Sequence, residues 1–253
     1  MNIIKSIIVA FSMYSRIPMP KFNWNSKDMK YHLIFFPWVG AVIGALEYGW
    51  QKLSYRLDIS YIVFALIALV IPVIVTGGFH VDGYMDTSDA LASWGDKEKR
   101  LEILKDSHVG AFAVIRLITL GIILFSAIYT MDETGFAAWA FTFFIARAVS
   151  GICVIRYKKG KAEGLLNTSA ETADDKKVVF FLAFQFVLWC IMAGAVFQYY
   201  WTSAMLALAI SVVVYFFTAY SKFGGITGDL AGWFVCISET LMAVAIAIFS
   251  KLG

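Results

Sequence analysis

Charge is what this 253-residue chain has least of. Asp, Glu, Lys and Arg make up 15% of it, against about 25% in a typical soluble domain. So few charges cannot wet a folded surface, which excludes an ordinary cytosolic globular enzyme. Such an apolar chain is not disordered either. Charge of one sign is also missing. The formal net charge is +3, and the basic residues fall between apolar stretches rather than along one stripe, so no nucleic acid is expected as a partner. Cysteine is scarce: Cys153, Cys190 and Cys236 are far apart, share no metal-ligand spacing, and leave one thiol over in any pairing. They read as free buried thiols, and a secreted disulfide scaffold is excluded. There is no Gly-x-x-x-x-Gly-Lys-Ser/Thr loop and no strand-linked Gly-x-Gly-x-x-Gly, so neither a nucleotide hydrolase fold nor a dinucleotide fold is supported. No secretory leader is expected, because Ser15-Arg-Ile-Pro-Met-Pro20 follows the first apolar run where small cleavage-site residues would stand.

What the chain has instead is apolar surface. Sixty per cent of the residues are hydrophobic and 17% aromatic, with 22 Phe. Several apolar stretches approach the length of about 20 residues that crosses a bilayer as helix, and helices satisfy their own backbone groups there. The expected fold is all-α: a polytopic membrane helix bundle, with residues 1–253 forming a single integral-membrane catalytic domain. About seven transmembrane helices are expected, near 31–50, 59–78, 109–130, 135–155, 178–199, 203–220 and 229–250. The segment 3–14 is too short to cross and reads as an interfacial or re-entrant helix stopped by Pro18 and Pro20. No internal repeat is evident.

Basic residues set the orientation. The N-terminal region holds Lys5, Arg16, Lys21, Lys27 and Lys30. The loop 79–108 holds Lys97, Lys99, Arg100 and Lys105, and the loop 156–177 holds Arg156, Lys158, Lys159, Lys161, Lys176 and Lys177. The intervening loops are nearly free of them. Because basic loops stay cytoplasmic, the N-terminus and the chemically interesting loops are expected on the cytoplasmic face. A transporter would more naturally line a path through mid-membrane.

The densest chemistry lies between Thr76 and Asp89. Gly77 and Gly78 end the second span and allow a turn. Asp82, Asp86 and Asp89 follow at i, i+4 and i+7, one face of a helix. Like charges so spaced repel, and a cation relieves the repulsion. Hard oxygen donors favour Mg²⁺, with Mn²⁺ as the alternative, and Mg²⁺ held by a few carboxylates leaves positions for substrate phosphate. The competing reading is a solvated acidic turn. His80 is a candidate for a catalytic or substrate-contacting role, the rival being an interfacial structural histidine. The pattern Asp96–Asp106 reads as an amphipathic helix whose charges mostly face water. At its end Lys105, Asp106, Ser107 and His108 precede a helix start at Gly110, an arrangement suited to phosphate, with Asp106 a possible fourth carboxylate.

A second cluster runs from Ser221 to Gly232. Gly224, Gly225 and Gly228, with Thr227 among them, permit turns that aim amides at an oxyanion. Asp229 opens the last span as a metal or base candidate. Gly232 is also explained by close helix packing. Glu239 is buried in an apolar span, where it pairs with Arg116 or Arg147 or is protonated. Arg147 is a candidate phosphate ligand. The neighbouring lysines mainly report topology, and they also suit membrane lipid headgroups. Glu47 reads as structural or interfacial.

The run Gly77-Gly-Phe-His-Val-Asp-Gly-Tyr-Met-Asp-Thr-Ser-Asp89 resembles the signature of the cobalamin synthase (adenosylcobinamide-GDP ribazoletransferase) family. Three further pieces resemble it in the same order: Arg16-Ile-Pro-Met-Pro20, Glu102-Ile-Leu-Lys-Asp-Ser-His-Val-Gly-Ala-Phe112, and Gly224-Gly-Ile-Thr-Gly-Asp229 followed by Glu239. The similarity runs over essentially the whole chain. Ala90, His108 and Trp233 depart from the family pattern, where glycine, arginine and alanine are more usual. His108 weakens a phosphate clamp at that position. The resemblance implies an enzyme of a prokaryotic cytoplasmic membrane with adenosylcobinamide-GDP as donor. The acceptor it implies is alpha-ribazole or its 5′-phosphate, and GMP is released. It implies a metal at Asp82, Asp86 and Asp89 with Asp229, one of these carboxylates serving the acceptor hydroxyl. A homo-oligomer or an association with other cobalamin-synthesis enzymes fits the same setting. Rival classes are a CDP-alcohol phosphotransferase, disfavoured because no Ala-Arg follows Asp82-Gly83, a transporter, and a non-catalytic scaffold.

Overall fold

The computed structural model describes residues 3–24, 26–106, 108–160 and 165–252. Among them the architecture is helical, apart from one parallel bridge between Lys159 and Ile226. Helix α1 spans Ile3–Tyr14, and a short α2 spans Ser26–Met29. A 3₁₀ turn, His32–Phe35, leads into α3, Phe36–Arg56, which carries Pro37 in its first turn, where no amide is missed. Then come α4, Tyr61–Thr76, and α5, Phe79–Ala92, with α6, Lys97–Ile103, and α7, Ala111–Thr130. Helix α8 is Glu133–Arg156, α9 is Leu165–Thr172, α10 is Asp175–Thr218 extended by a π turn at Ala219–Phe223, and α11 is Gly228–Leu252.

Five continuous helical stretches among the described residues are long and apolar enough to cross a membrane: His32–Arg56, Ala111–Thr130, Glu133–Arg156, Asp175–Phe223 and Gly228–Lys251. Helices α4 and α5 make a sixth if counted together, with a bend of 97° between them. The chain is thus an all-α, multi-span membrane-type bundle. The expected second span, 59–78, shortens to α4. Gly77 (φ 67°) and Gly78 (φ 82°) both take left-handed backbone, and Gly78 N–H donates to Val73 O at 3.0 Å, closing α4. The expected spans 178–199 and 203–220 run as one helical element interrupted at Gln198 (φ 47°, ψ −114°). Cys190 Sγ nevertheless lies 3.8 Å from Met205 Sδ. In an unbroken helix residues 190 and 205 would stand about 22 Å apart, so the chain doubles back at Gln198.

Burial separates interior from rim. The most apolar windows of α8 and α11 are 78% and 67% buried, whereas those of α7 and α10 are 17% buried and leave residues such as Ile118, Ile122, Phe184 and Ile191 on the surface. Helix α3 crosses α8 at Gly40 and Gly44, where a Cβ would overlap Phe143 O and Ala140 O; the two backbones touch because these residues have no side chain. Along α8 Trp139, Phe143, Phe144 and Ile145 are fully buried, and Trp139 Nε1 donates to Glu239 O of α11 at 3.3 Å. One charge pair lies among them: Arg147 donates to Glu239 Oε1 at 2.6 Å, and their side chains are 1% and 11% exposed. Of the two partners expected for Glu239, the structure selects Arg147.

Candidate functional site

The bend after α4 produces α5, a helix with two unlike faces. Gly83, Tyr84, Thr87, Ser88 and Ala90 are buried, while Asp82 is exposed and Asp86 and Asp89 are half-buried. The carboxylates therefore share one side, as their spacing predicts. The buried side is fastened to α7: Tyr84 Oη donates to Arg116 O at 3.2 Å, and Arg116 donates back to Ser88 O at 2.9 Å. Arg116 is thus occupied as a clamp behind the aspartates.

The head of α11 packs directly on α5. A Cβ at Gly83 would lie 2.7 Å from Asp229 O and 3.0 Å from its Cα; a Cβ at Gly232 would lie 3.1 Å from His80 O. Residue order is opposite in the two helices, 80 facing 232 and 83 facing 229, so they run antiparallel here. Asp229 thereby meets α5 at the turn that carries Asp82 and Asp86. The glycine reading of Gly232 as close packing is met, and Gly83 has the same function. A glycine inside a helix costs about 1 kcal/mol relative to alanine; in Asp82-Gly83-Tyr84 that cost was a legible sign of a close approach.

Other expected residues are placed elsewhere. Thr227 is a helix cap: Leu230 N–H donates to its Oγ1 at 3.2 Å, and the hydroxyl donates to Asp229 Oδ2 at 3.4 Å. Its hydroxyl is thereby tied to the first turn of α11. Gly224 (φ 71°) ends the π turn, and Gly225 N–H donates to Ala219 O at 3.0 Å. The next residues are stitched to the basic loop, Ile226 N–H to Lys158 O and Gly160 N–H to Ile226 O, each 2.8 Å. Gly228 opens α11 and borders an interior cavity of about 60 Å³. His80 lines that same cavity with Tyr14, Phe36 and Phe79, is 5% exposed, and has no hydrogen-bond partner at Nδ1 among the described residues. Two residues before Asp82 means about 200° around the helix, so His80 faces away from the carboxylate side.

Arg147 does not reach a surface that phosphate could occupy. It is spent on Glu239 and on Phe143 O, at 2.6 and 2.9 Å. An arginine in an apolar run was read as a ligand because sequence alone does not show the carboxylate opposite it. Lys105 and Asp106 line a separate surface depression of about 280 Å³, and the aspartates 82, 86, 89 and 229 do not. His108 bonds Asp106 Oδ1 from both its amide and its ring, at 3.0 and 2.6 Å, which holds the Asp106 carboxyl below the usual carboxylate range. Ser107 lies outside the described residues, as does Lys161.

The donors fit a hard divalent cation in chemistry: carboxylate oxygens only, with Asp82 and Asp86 one turn apart and Asp229 packed against the turn between them. Asp89 is turned to the head of α7, where a Cβ at Gly110 would overlap its carboxylate. Among the described residues, no three His, Cys, Asp or Glu side chains converge on a ready-made ion position.

Two basic side chains cover glycines at the ends of these motifs. The stem of Arg16 lies over Gly77, and Lys97 lies over Gly224; a Cβ at either glycine would overlap the side chain above it. Arg16 N–H also donates to Val75 O at 2.8 Å, which docks the first loop on the α4–α5 bend.

Comparison with known proteins gives one consistent answer. The profile of the family described as Cobalamin-5-phosphate synthase matches residues 6–247. A Lachnoclostridium phytofermentans protein named Adenosylcobinamide-GDP ribazoletransferase is 36% identical over 248 residues, covering 98% of this chain and 95% of its own. Proteins of the same name from Clostridium botulinum and Geobacillus kaustophilus are each 31% identical, covering 98% and 93% of this chain and 99% and 92% of theirs. No solved structure matches.

Proposed function

Because the chain belongs to the cobalamin-5-phosphate synthase family, we propose that this membrane enzyme completes the cobalamin nucleotide loop by transferring adenosylcobinamide phosphate from adenosylcobinamide-GDP to alpha-ribazole or its 5′-phosphate. The observation that carries the site is the contact of Asp229 with Gly83, which joins the two acidic motifs into one surface.

In this reading the acceptor ribose 3′-hydroxyl attacks the phosphorus that carries the cobinamide aminopropanol arm. A phosphorus–oxygen bond forms, the diphosphate bridge breaks, and the bridging oxygen leaves with GMP. Asp82, Asp86 and Asp229 would hold Mg²⁺, or Mn²⁺ in its place, and such an ion would supply charge neutralisation of the diphosphate and stabilisation of the leaving oxygen. The hydroxyl proton passes to a carboxylate on the α5 face. Asp89, at the head of α7, fixes the far end of the acidic row. Thr227 and the α5–α11 contact hold Asp229 in register, and the clamp between Tyr84, Arg116 and Ser88 does the same for α5. Arg147 and Glu239 support the bundle behind the site.

We also assign seven crossings, counting α10 as two spans that reverse at Gln198 and α4–α5 as one broken span, with the N-terminus and the acidic face cytoplasmic. The hairpin contact between Cys190 and Met205 supports the count, and the basic loops support the orientation. A corrinoid too large to enter lipid then meets the site from the cytoplasm.

The test uses purified protein in vesicles with adenosylcobinamide-GDP and either acceptor. We expect GMP and cobalamin, or its 5′-phosphate, to form with Mg²⁺ and not with EDTA. Asp82→Asn and Asp86→Asn should each lower kcat by at least about 100-fold, the scale of one lost electrostatic stabiliser. Full activity in EDTA, or in both variants, refutes the assigned site.

A further inference from the structure

The two helices that carry the aspartates begin alike. Before α5 stands Gly77 (φ 67°) and before α11 stands Gly224 (φ 71°), and each left-handed glycine is covered by a basic side chain from a different part of the fold. Over Gly77 lies the stem of Arg16, whose Cδ would be 2.9 Å from a Cβ there; over Gly224 lies Lys97, whose Cδ would be 3.1 Å from one. Both side chains are exposed, and among the described residues neither has a carboxylate within ion-pair distance. By contrast Lys99, two residues from Lys97, pairs with Glu102 at 2.9 Å. Among the described residues, two cations without an ion pair thus stand at the glycines that precede the two aspartate-bearing helices.

Their places differ. Since α5 and α11 run antiparallel at Gly83, Gly224 lies towards the C-terminal end of α5, and Gly77 is at its N-terminal end. From Asp82 to Asp89 the helix rises about 10 Å. That separation is too long for one diphosphate and suits two phosphate-bearing groups. The Lys97 end is the more basic, because the loop carrying Lys158 is bonded to Ile226 beside it. It matches the more highly charged group, while a single arginine fork matches a terminal phosphate monoester.

We propose that Lys97 binds the diphosphate of the nucleotide donor and Arg16 the 5′-phosphate of the acceptor, one at each end of the carboxylate row. This rests on the ribazoletransferase reading. Replacing each residue by methionine keeps an aliphatic stem over its glycine and removes the cationic head with its hydrogen-bond donors. We expect Lys97→Met to raise the donor KM about tenfold, the value of one charge-assisted hydrogen bond, with the acceptor KM unchanged. Arg16→Met should raise KM about tenfold for alpha-ribazole 5′-phosphate and leave KM for free alpha-ribazole as it was. Lys97→Arg and Arg16→Lys should restore most of each loss, and Lys99→Met should change nothing. GDP binding to the detergent-solubilised protein in Mg²⁺ should weaken by the same factor in Lys97→Met and hold in Arg16→Met. Unchanged donor KM and GDP affinity in Lys97→Met overturn the first assignment. Equal effects of Arg16→Met on both acceptors, or a wild-type enzyme that rejects the phosphorylated one, overturn the second. A wild-type enzyme that binds GDP through Lys97 but forms no product overturns the reaction and leaves the diphosphate position standing.

Discussion

Gly83→Ala tests whether the contact between α5 and α11 is what builds the site. The added Cβ would stand 2.7 Å from Asp229 O, 3.0 Å from its Cα and 3.2 Å from its carbonyl carbon, where ordinary contact begins at 3.4 Å. The obstacle is main chain, so no side chain can swing aside. The head of α11 must retreat by about 0.7 Å, and Asp229 goes with it. Overpacking of this kind costs about 1–3 kcal/mol, offset in part by roughly 1 kcal/mol from replacing a helical glycine. The fold should survive with a melting temperature only a few degrees lower. Chemistry should suffer more, because a misplacement near 1 Å costs about 100-fold in rate. We predict that GMP release at saturating substrates falls about 100-fold in Gly83→Ala while thermal unfolding in detergent shifts slightly. Gly121→Ala, where a Cβ meets nothing within 4 Å, is the control; it should leave the rate unchanged and raise thermal stability slightly, since a helical glycine is replaced without a clash. A kcat within threefold of wild type in a folded Gly83→Ala protein would show that Asp229 need not sit against α5.

Two further outcomes are expected. Arg147→Met strands Glu239 in the interior and should destabilise by about 3–5 kcal/mol, whereas Arg147→Met combined with Glu239→Gln should recover most of that loss; thermal unfolding of the single and double variants decides, and strictly additive losses would show that the pair does not act as one unit. Gly110→Ala drives a methyl group into the Asp89 carboxylate, so it should shift the far end of the acidic row and lower kcat, and an unchanged kcat in a folded variant would remove Asp89 from the site.

Sequence revealed most of the spans because an apolar run long enough to cross lipid has few alternatives to helix. It did not reveal that 59–78 breaks at Gly77 and Gly78 into a separate polar helix, since a glycine pair permits a turn without stating its angle. The short helix Leu165–Thr172 lay inside what read as a basic loop. Within the site, the i, i+4, i+7 spacing correctly put Asp82, Asp86 and Asp89 on one side, and the same periodicity would have turned His80 away had it been applied there. Arg147 and Glu239 were legible only as costly charges in apolar runs; their partnership is a long-range fact. Thr227 was readable as a cap from its place before Asp229 and Leu230, but a glycine-rich setting drew it into the phosphate reading. Arg16 and Lys97 look in sequence like any topology-setting basic residue, and only the glycines beneath them mark them out.

The aspartates are positioned chiefly by backbone. Helix α5 could not lie in lipid with three carboxylates on one side, and the 97° bend frees it from continuing the direction of α4. Once bent, it is held through surfaces that have no side chain: Gly83 on Asp229 and Gly232 on His80. Its polar clamp to Arg116 uses main-chain oxygens on both sides. Anchoring the backbone holds α5 and the head of α11 in place, and with them the side of α5 that carries Asp82 and Asp86.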